Sequence, residues 1–165
     1  MSEQVESQFD SRTFRFACGC FATGITVITT EIDGEIHGMT ANAFMSVSLD
    51  PPLVVVSVDH KARLHDLIPQ SGNYAVSILS KEQADYSSHF AGWAPEGFEP
   101  QFERRNGQPV IAGAIAHLVT TLYESHVAGD HTLYFGKVEH VEYNEEDPVL
   151  YYRGQYRQVA TAEAA

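Results

Sequence analysis

The segment Gly38–Val58 reads GMTANAFMSVSLDPPLVVVSV, and its reading decides the fold. The first half sets Thr40, Ala41, Asn42, Ser46 and Ser48 ahead of Pro51-Pro52, and the second, Leu53 to Val58, is almost wholly apolar and β-branched. That pattern reads as a strand, a polar turn and a buried strand. It also has a chemical reading. Small side chains let a flat ligand approach the backbone while hydroxyls and an amide meet its polar edge.

Working toward the N-terminus, Ile25–Thr30 (ITVITT) is a strand, and Asp33-Gly34 is a hairpin signal leading to a strand at Ile36–Thr40. Between Phe9 and Ala22, apolar residues at 14, 17, 18 and 21 predict an amphipathic helix, capped by Asp10 or Ser11 and ended by Gly24. Toward the C-terminus, Ala62–Ile68 reads as a short helix ending at Pro69, and Tyr74–Leu79 as a strand. Ser80-Lys81-Glu82-Gln83 is a capping box opening a helix to about Phe90, stopped by Gly92. Pro95 to Pro109 reads as a polar loop, and Ala114–Val127, Leu133–Tyr143 and Val149–Tyr152 as strands. The sum is a mainly β chain, a closed or split β-barrel with peripheral helices. Ala160 to Ala165 reads as a frayed tail.

A chain of 165 residues with 44% hydrophobic and 11% aromatic content makes one domain with a real core. The net charge of −12 argues against a nucleic-acid binder or a membrane-surface protein. With no basic n-region in MSEQVESQFD and no apolar run of spanning length, the expectation is a cytosolic protein. Cys18 and Cys20, two apart on a helix, point to different sides and are expected to be buried thiols rather than a redox pair. Most of the basic residues fall into pairs, Arg12/Arg15, Lys61/Arg63, Arg104/Arg105 and Arg153/Arg157. Such pairs suit a bound phosphate, although Arg104/Arg105 read better as surface ion pairs.

Several chemistries drop out. Gly19 to Gly24 has P-loop spacing, but Ile25 stands where lysine is needed. No G-x-G-x-x-G follows a strand, and there is no G-x-S-x-G elbow. His60/His65 and His126/His131 lack zinc-ligand spacing, so no metal site is expected. His131, in Gly129-Asp130-His131-Thr132-Leu133, opens a strand from a flexible turn. There it either caps the turn with Asp130 or presents its ring to a cleft.

Four segments in order, FRFACGCFATGITVITT (Phe14 to Thr30), Gly38–Val58, GDHTLYFGKVEHVE (Gly129 to Glu142) and PVLYYRGQYR (Pro148 to Arg157), resemble the short-chain flavin reductases, the reductase components of two-component flavin-dependent monooxygenases. The resemblance covers about Ser11 to Val159 of a single domain spanning residues 1–165. It implies a split β-barrel homodimer that binds FMN or FAD, oxidises NADH or NADPH and releases reduced flavin to a separate oxygenase. It places Thr40, Ala41, Asn42, Ala43, Ser46, Val47 and Ser48 along the isoalloxazine and ribityl chain, and Ser57, Lys61 and Arg63 near the flavin phosphate. It puts His131 beside flavin and nicotinamide, with Arg153 and Tyr156 closing the site. The few free basic residues favour NADH over NADPH. Two other readings share these residues: a flavin-binding module without turnover, and a flavin-bound reductase of another acceptor.

Overall fold

The computed structural model describes residues 9–160, so residues 1–8 and all of the Ala-rich tail but Ala160 lie outside it. Its centre is an antiparallel seven-stranded sheet in the order β3-β2-β6-β9-β10-β5-β4. The strands are β2 (Thr26–Ile32), β3 (Glu35–Ala41), β4 (Phe44–Leu49), β5 (Pro52–Asp59), β6 (Asn73–Ile78), β9 (Ala116–Ala128) and β10 (His131–Tyr143). β3 and β4 follow one another in the chain with only Asn42 and Ala43 between them, yet occupy opposite edges of the sheet. Two residues cannot cross a flat seven-stranded sheet, whose neighbouring strands lie about 4.8 Å apart. The sheet therefore rolls until its edges meet at Asn42–Ala43, with no ladder between β3 and β4: the split barrel expected from sequence.

The barrel interior is filled by Ile28, Val56, Val58, Tyr74, Val76 and Tyr134, and α2 (Arg63–Ser71) plugs it with Leu64 and Ile68. The ladder registers Ile28 against Val76 and Val56 against Tyr134, so one alternating face of each strand points inward. On the outer face Ile25, Val27, Leu79, Ile111 and Val149 form a second layer under α3 (Ala84–Phe90), the β7–β8 hairpin (Phe102–Arg105, Gln108–Ile111) and β11 (Val149–Tyr152). β11 joins β1 (Thr23–Gly24) and β12 (Gln155–Gln158) in a small sheet. β2 and β6 are thus covered on both faces, whereas β4 and the distal half of β9 are not. Among the described residues no helix is long and apolar enough to cross a membrane.

Local departures from the sequence reading have identifiable causes. α2 continues through Pro69 to Ser71 and ends at Gly72, whose φ of 70° supplies the left-handed cap. Pro69 cannot donate to the His65 carbonyl, but the Tyr134 hydroxyl does so instead at 2.7 Å. Gln83 accepts from the Ser80 N–H at 3.1 Å, half of the capping box, although the helix opens only at Ala84. Within the expected loop, Asn106 and Gly107, with φ of 45° and 82°, turn the β7–β8 hairpin. Asp10 caps α1 (Ser11–Cys18) through the Thr13 N–H, as expected, but α1 buries no residue. Cys18 and Cys20, expected to be buried, are both free and exposed.

Gly136 on β10 faces the interior where Thr120 and Tyr74 close in. A Cβ there would lie 2.6 Å from both Thr120 Oγ1 and Tyr74 Oη, and the Tyr74 hydroxyl donates to the Tyr134 carbonyl at 3.0 Å. Gly136→Ala is expected to destabilise the fold by about 1–3 kcal/mol in urea unfolding. An unchanged midpoint and slope would contradict this account of the interior.

Candidate functional site

The apolar stripe of α1 faces a cleft instead of the core. Phe14, Phe16, Phe21, Arg15, Cys18 and Asn42, with Tyr151, Arg153 and Gly154 opposite, line a hollow of about 380 Å³. A second hollow of about 380 Å³ adjoins it, lined by Thr23, Ala43, Phe44, Met45, Val55, Ser57 and Leu133. Cys18, Phe21 and Asn42 belong to both, so the two form one elongated cleft with the barrel seam at its middle.

The floor of the second hollow follows from strand pairing. Ser57 lies opposite Leu133 and Val55 opposite Met45, while the alternate residues Val56 and Tyr134 point inward. His131, two residues from Leu133, shares its face of β10 and lies opposite Asp59, so its ring stands beyond the Ser57 end of this floor. Its Nδ1 is 2.7 Å from Asp130 Oδ1, and this contact holds the Asp130 carboxyl below its usual range. His131 thus closes the turn with Asp130, and its half-exposed ring is not among the residues that line either hollow.

The sequence-derived residues divide by position. Asn42, Ala43, Ser57 and Arg153 line the cleft. Ala41 is buried at the end of β3 and its carbonyl accepts from Thr26 Oγ1 at 2.7 Å; Thr40 donates to the Ser87 carbonyl at 2.7 Å. Both hold the corner without lining the cleft. Ser46, Val47 and Ser48 run along the open edge of β4, where the pairing with β5 is interrupted at Val47. Tyr156 sets its hydroxyl 3.0 Å from Ser87 Oγ and its ring edge-on to Tyr151, bracing that wall. Lys61 and Arg63 follow the end of β5 outside the cleft lining, with Arg63 3.6 Å from Glu35.

Sequence reasoning missed Phe14, Phe16, Phe21 and Tyr151 as cleft residues and had Arg15 only as one of a pair suited to a phosphate. The signal was present in the apolar stripe of residues 14, 17, 18 and 21, which was read only as an amphipathic helix. The cleft suits a flat aromatic ring with a polar edge and an anionic tail. It offers aromatic walls, the Asn42 amide, and Thr23 Oγ1, which is buried with no hydrogen-bond partner among the described residues. Arg15 and Arg153 also line it, and neither has a carboxylate partner among the described residues.

The family described as flavin reductase like domain matches residues 18–160. An NADH-dependent flavin reductase of Rhodococcus sp is 47% identical over 146 residues, covering 87% of this chain and 83% of the relative. The HsaB reductase subunit of a flavin-dependent monooxygenase from Rhodococcus jostii (strain RHA1) is 38% identical over 150 residues, covering 89% and 77%. Among solved structures, flavin reductase PheA2 in its native state superposes with a TM-score of 0.91 at 50% identity, covering 93% of this chain and 100% of that one. The NADH:FAD oxidoreductase SgcE6 of Streptomyces globisporus C-1027, in complex with NAD and FAD fragments, superposes with a TM-score of 0.87 at 34% identity, covering 94% and 96%. The chain belongs to the flavin reductase-like family.

A third hollow, of about 260 Å³, is polar and structural. It is lined by Glu103, Arg105, His117 and Glu142, among others. Arg105 bridges Glu103 at 2.9 Å and also Glu142, and buried His117 sets Nδ1 2.9 Å from Glu142 Oε1 and Nε2 2.8 Å from the Ile111 carbonyl. Hydrogen bonds from His117, and then from Arg105, hold the Glu142 carboxyl below its ordinary 4.5. A group depressed in this way stabilises the fold above its unfolded value and loses that contribution as pH falls through the folded one. Between about pH 6 and about pH 3, the wild type is expected to lose more stability than Glu142→Gln. Parallel acid limbs in thermal unfolding would refute the coupling.

Proposed function

We propose that the elongated cleft holds a flavin, its ring over the outer face of β4, β5 and β10, with nicotinamide stacking on it from the α1 side. The chain is an NADH-dependent flavin reductase of the kind that supplies reduced flavin to monooxygenases. The observation that carries the placement is that Cys18, Phe21 and Asn42 line both halves of one cleft. It supports two stacked rings meeting at the seam.

The roles of the residues follow from their positions. Asn42 and Ala43, with Ser46, Val47 and Ser48 along β4, border the ring and its ribityl chain, while Thr40 and Ala41 anchor the corner. Ser57, in the floor of the second hollow, and Lys61 and Arg63, in the turn and helix that follow Asp59, are assigned to the flavin phosphate. Arg15 and Arg153, at the other end, suit the pyrophosphate of the dinucleotide. Tyr156 keeps Tyr151 and the Arg153 turn in place. Bound flavin supplies the hydride acceptor for nicotinamide, so the protein needs no nucleophile; it aligns two rings, excludes water and meets the growing negative charge with backbone N–H groups at the corner. His131 positions the nicotinamide from the open end of the floor.

FMN and FAD share the ring that this cleft fits. We assign the reduced product to a separate flavin-dependent oxygenase. We also assign the protein to a homodimer: on β9, Leu118 and Leu122 pack on the chain's own core, but Tyr123 and Val127 remain 55% and 69% exposed. A cytosolic setting fits two free, exposed thiols.

The test is NADH oxidation followed by absorbance, with and without added FMN or FAD, in wild type and His131→Ala. Oxidation is expected to depend on added flavin, and the variant to lose roughly tenfold in kcat/KM for NADH while flavin affinity holds. Unchanged kcat and KM for NADH would contradict the role of His131. Flavin binding without oxidation would replace the reductase by a binding module.

A further inference from the structure

The end of β10 that carries His131 has little apolar cover, since Tyr123 to Ala128 on the neighbouring β9 are all exposed. What ties it to the barrel is polar. Thr132, next to His131 and only 3% exposed, sets its hydroxyl oxygen 3.1 Å from His60 Nε2 and 3.1 Å from His65 Nε2. One ring follows β5, the other stands in the first turn of α2, and their centroids are 4.7 Å apart. Both histidines also hold β10 through their backbones: the His60 N–H donates to the Asp130 carbonyl at 3.0 Å, and the His65 carbonyl accepts from the Tyr134 hydroxyl at 2.7 Å. Neither ring lines the cleft.

The partners fix the direction of this chain. A carboxylate only accepts, so His65 Nδ1, 3.2 Å from Asp66 Oδ1, carries the hydrogen, and Nε2 of the neutral ring is an acceptor. The Thr132 hydroxyl then donates to His65, and its oxygen accepts from the His60 Nε2–H. We propose that Thr132 is a positioning residue: held between His60 and His65, it fixes the end of β10 and so the His131 ring, and proton uptake by His65 loosens that hold.

A proton added to His65 enters at Nε2, the atom that faces the hydroxyl hydrogen. The hydroxyl has to turn away, and N–H groups of two adjacent rings then point at one oxygen. The charged and titratable groups around His65 are Arg63 and Asp66 on α2, Asp59, His60 and Lys61 at the end of β5, and Asp130, His131 and Tyr134 from β10 and its turn. Of the carboxylates, Asp66 contacts the ring, whereas Asp59 accepts from the Lys61 N–H, Asp130 is engaged by His131, and Arg63 pairs with Glu35. Histidine is the side chain that changes charge between about pH 8 and about pH 5, so the hold weakens over that range as pH falls. The effect on nicotinamide rests on the proposed place of His131, whereas the hydrogen-bond chain does not.

The test measures kcat and KM for NADH from about pH 8 to about pH 5.5 in the wild type, Thr132→Val, Thr132→Ser and His131→Ala, beside the His65 ring resonances followed by NMR. His60 is exposed and His65 partly so, which lets both rings turn to water when valine replaces the hydroxyl and leaves the fold intact. In the wild type, KM for NADH is expected to rise several-fold toward acid with little change in kcat. Thr132→Val is expected to show the raised KM at every pH and a displaced His65 titration, and Thr132→Ser to behave as the wild type. An identical His65 titration in the wild type and Thr132→Val would overturn the chain. A displaced titration with a wild-type KM would overturn the positioning role. A wild-type KM in His131→Ala would show that the reading of His131 itself has failed, and the positioning role with it.

Discussion

Everything in this molecule depends on the two-residue link between β3 and β4. Consecutive strands joined so tightly are ordinarily hairpin neighbours, yet these two are the opposite edges of a seven-stranded sheet. The only geometry that satisfies both facts is a sheet rolled until its edges meet at Asn42 and Ala43. That corner is pinned from both sides, by Thr26 Oγ1 on the Ala41 carbonyl at 2.7 Å and by the Ser57 N–H on the Ala43 carbonyl at 3.1 Å. A seam without a ladder leaves backbone and small side chains open to the outside, and there the cleft lies.

The second layer explains why the cleft lies on one side only. α3, the β7–β8 hairpin and β11 cover the outside of β2 and β6, while among the described residues the outer face of β4, β5 and β10 has no such cover. α1 and the turn after it stand beside that face with Phe14, Cys18 and Phe21 turned into the gap, and α1 buries no residue. Charge is arranged to match. Arg104 pairs with Glu31, Arg105 with Glu142, Lys81 with Asp147, Lys137 with Glu139 and Arg63 with Glu35. Among the described residues Arg12, Arg15, Lys61, Arg153 and Arg157 have no carboxylate partner, and of these Arg15 and Arg153 line the cleft. An anionic ligand approaching a chain of net charge −12 meets favourable potential there.

The barrel was legible where a strand's own composition decided its state: Ile25–Thr30 and Leu53–Val58, rich in β-branched residues, and the apolar Tyr74–Leu79 end up largely buried. It was less legible where a distant group decided. Pro69 stays helical because Tyr134, far along the chain, serves the His65 carbonyl. The Asn106-Gly107 turn carried its own signal, but the prolines and charges around it masked a hairpin of two four-residue strands. For the site, periodicity identified the α1 stripe without telling whether protein or ligand covers it. Of the small and polar residues read directly from the Gly38–Val58 segment, Thr40, Ala41, Asn42, Ser46 and Ser48, only Asn42 lines the cleft, whereas Ala43 and Ser57 came with the family resemblance alone. The aromatic wall was missed because Phe14 and Phe21 are what a core also uses.

The central claim is that α1 and the seam build one ring-binding cleft, with Phe21 as the wall common to both halves. The most direct measurement is flavin fluorescence quenching on titration of Phe21→Asp, with circular dichroism to establish that the barrel is intact. Because Phe21 is 79% exposed, the substitution leaves the core untouched. The account predicts a native spectrum and a flavin Kd raised roughly tenfold or more, since a carboxylate replaces an aromatic wall next to the ring. A native spectrum with unchanged flavin affinity would contradict it and place the ring elsewhere.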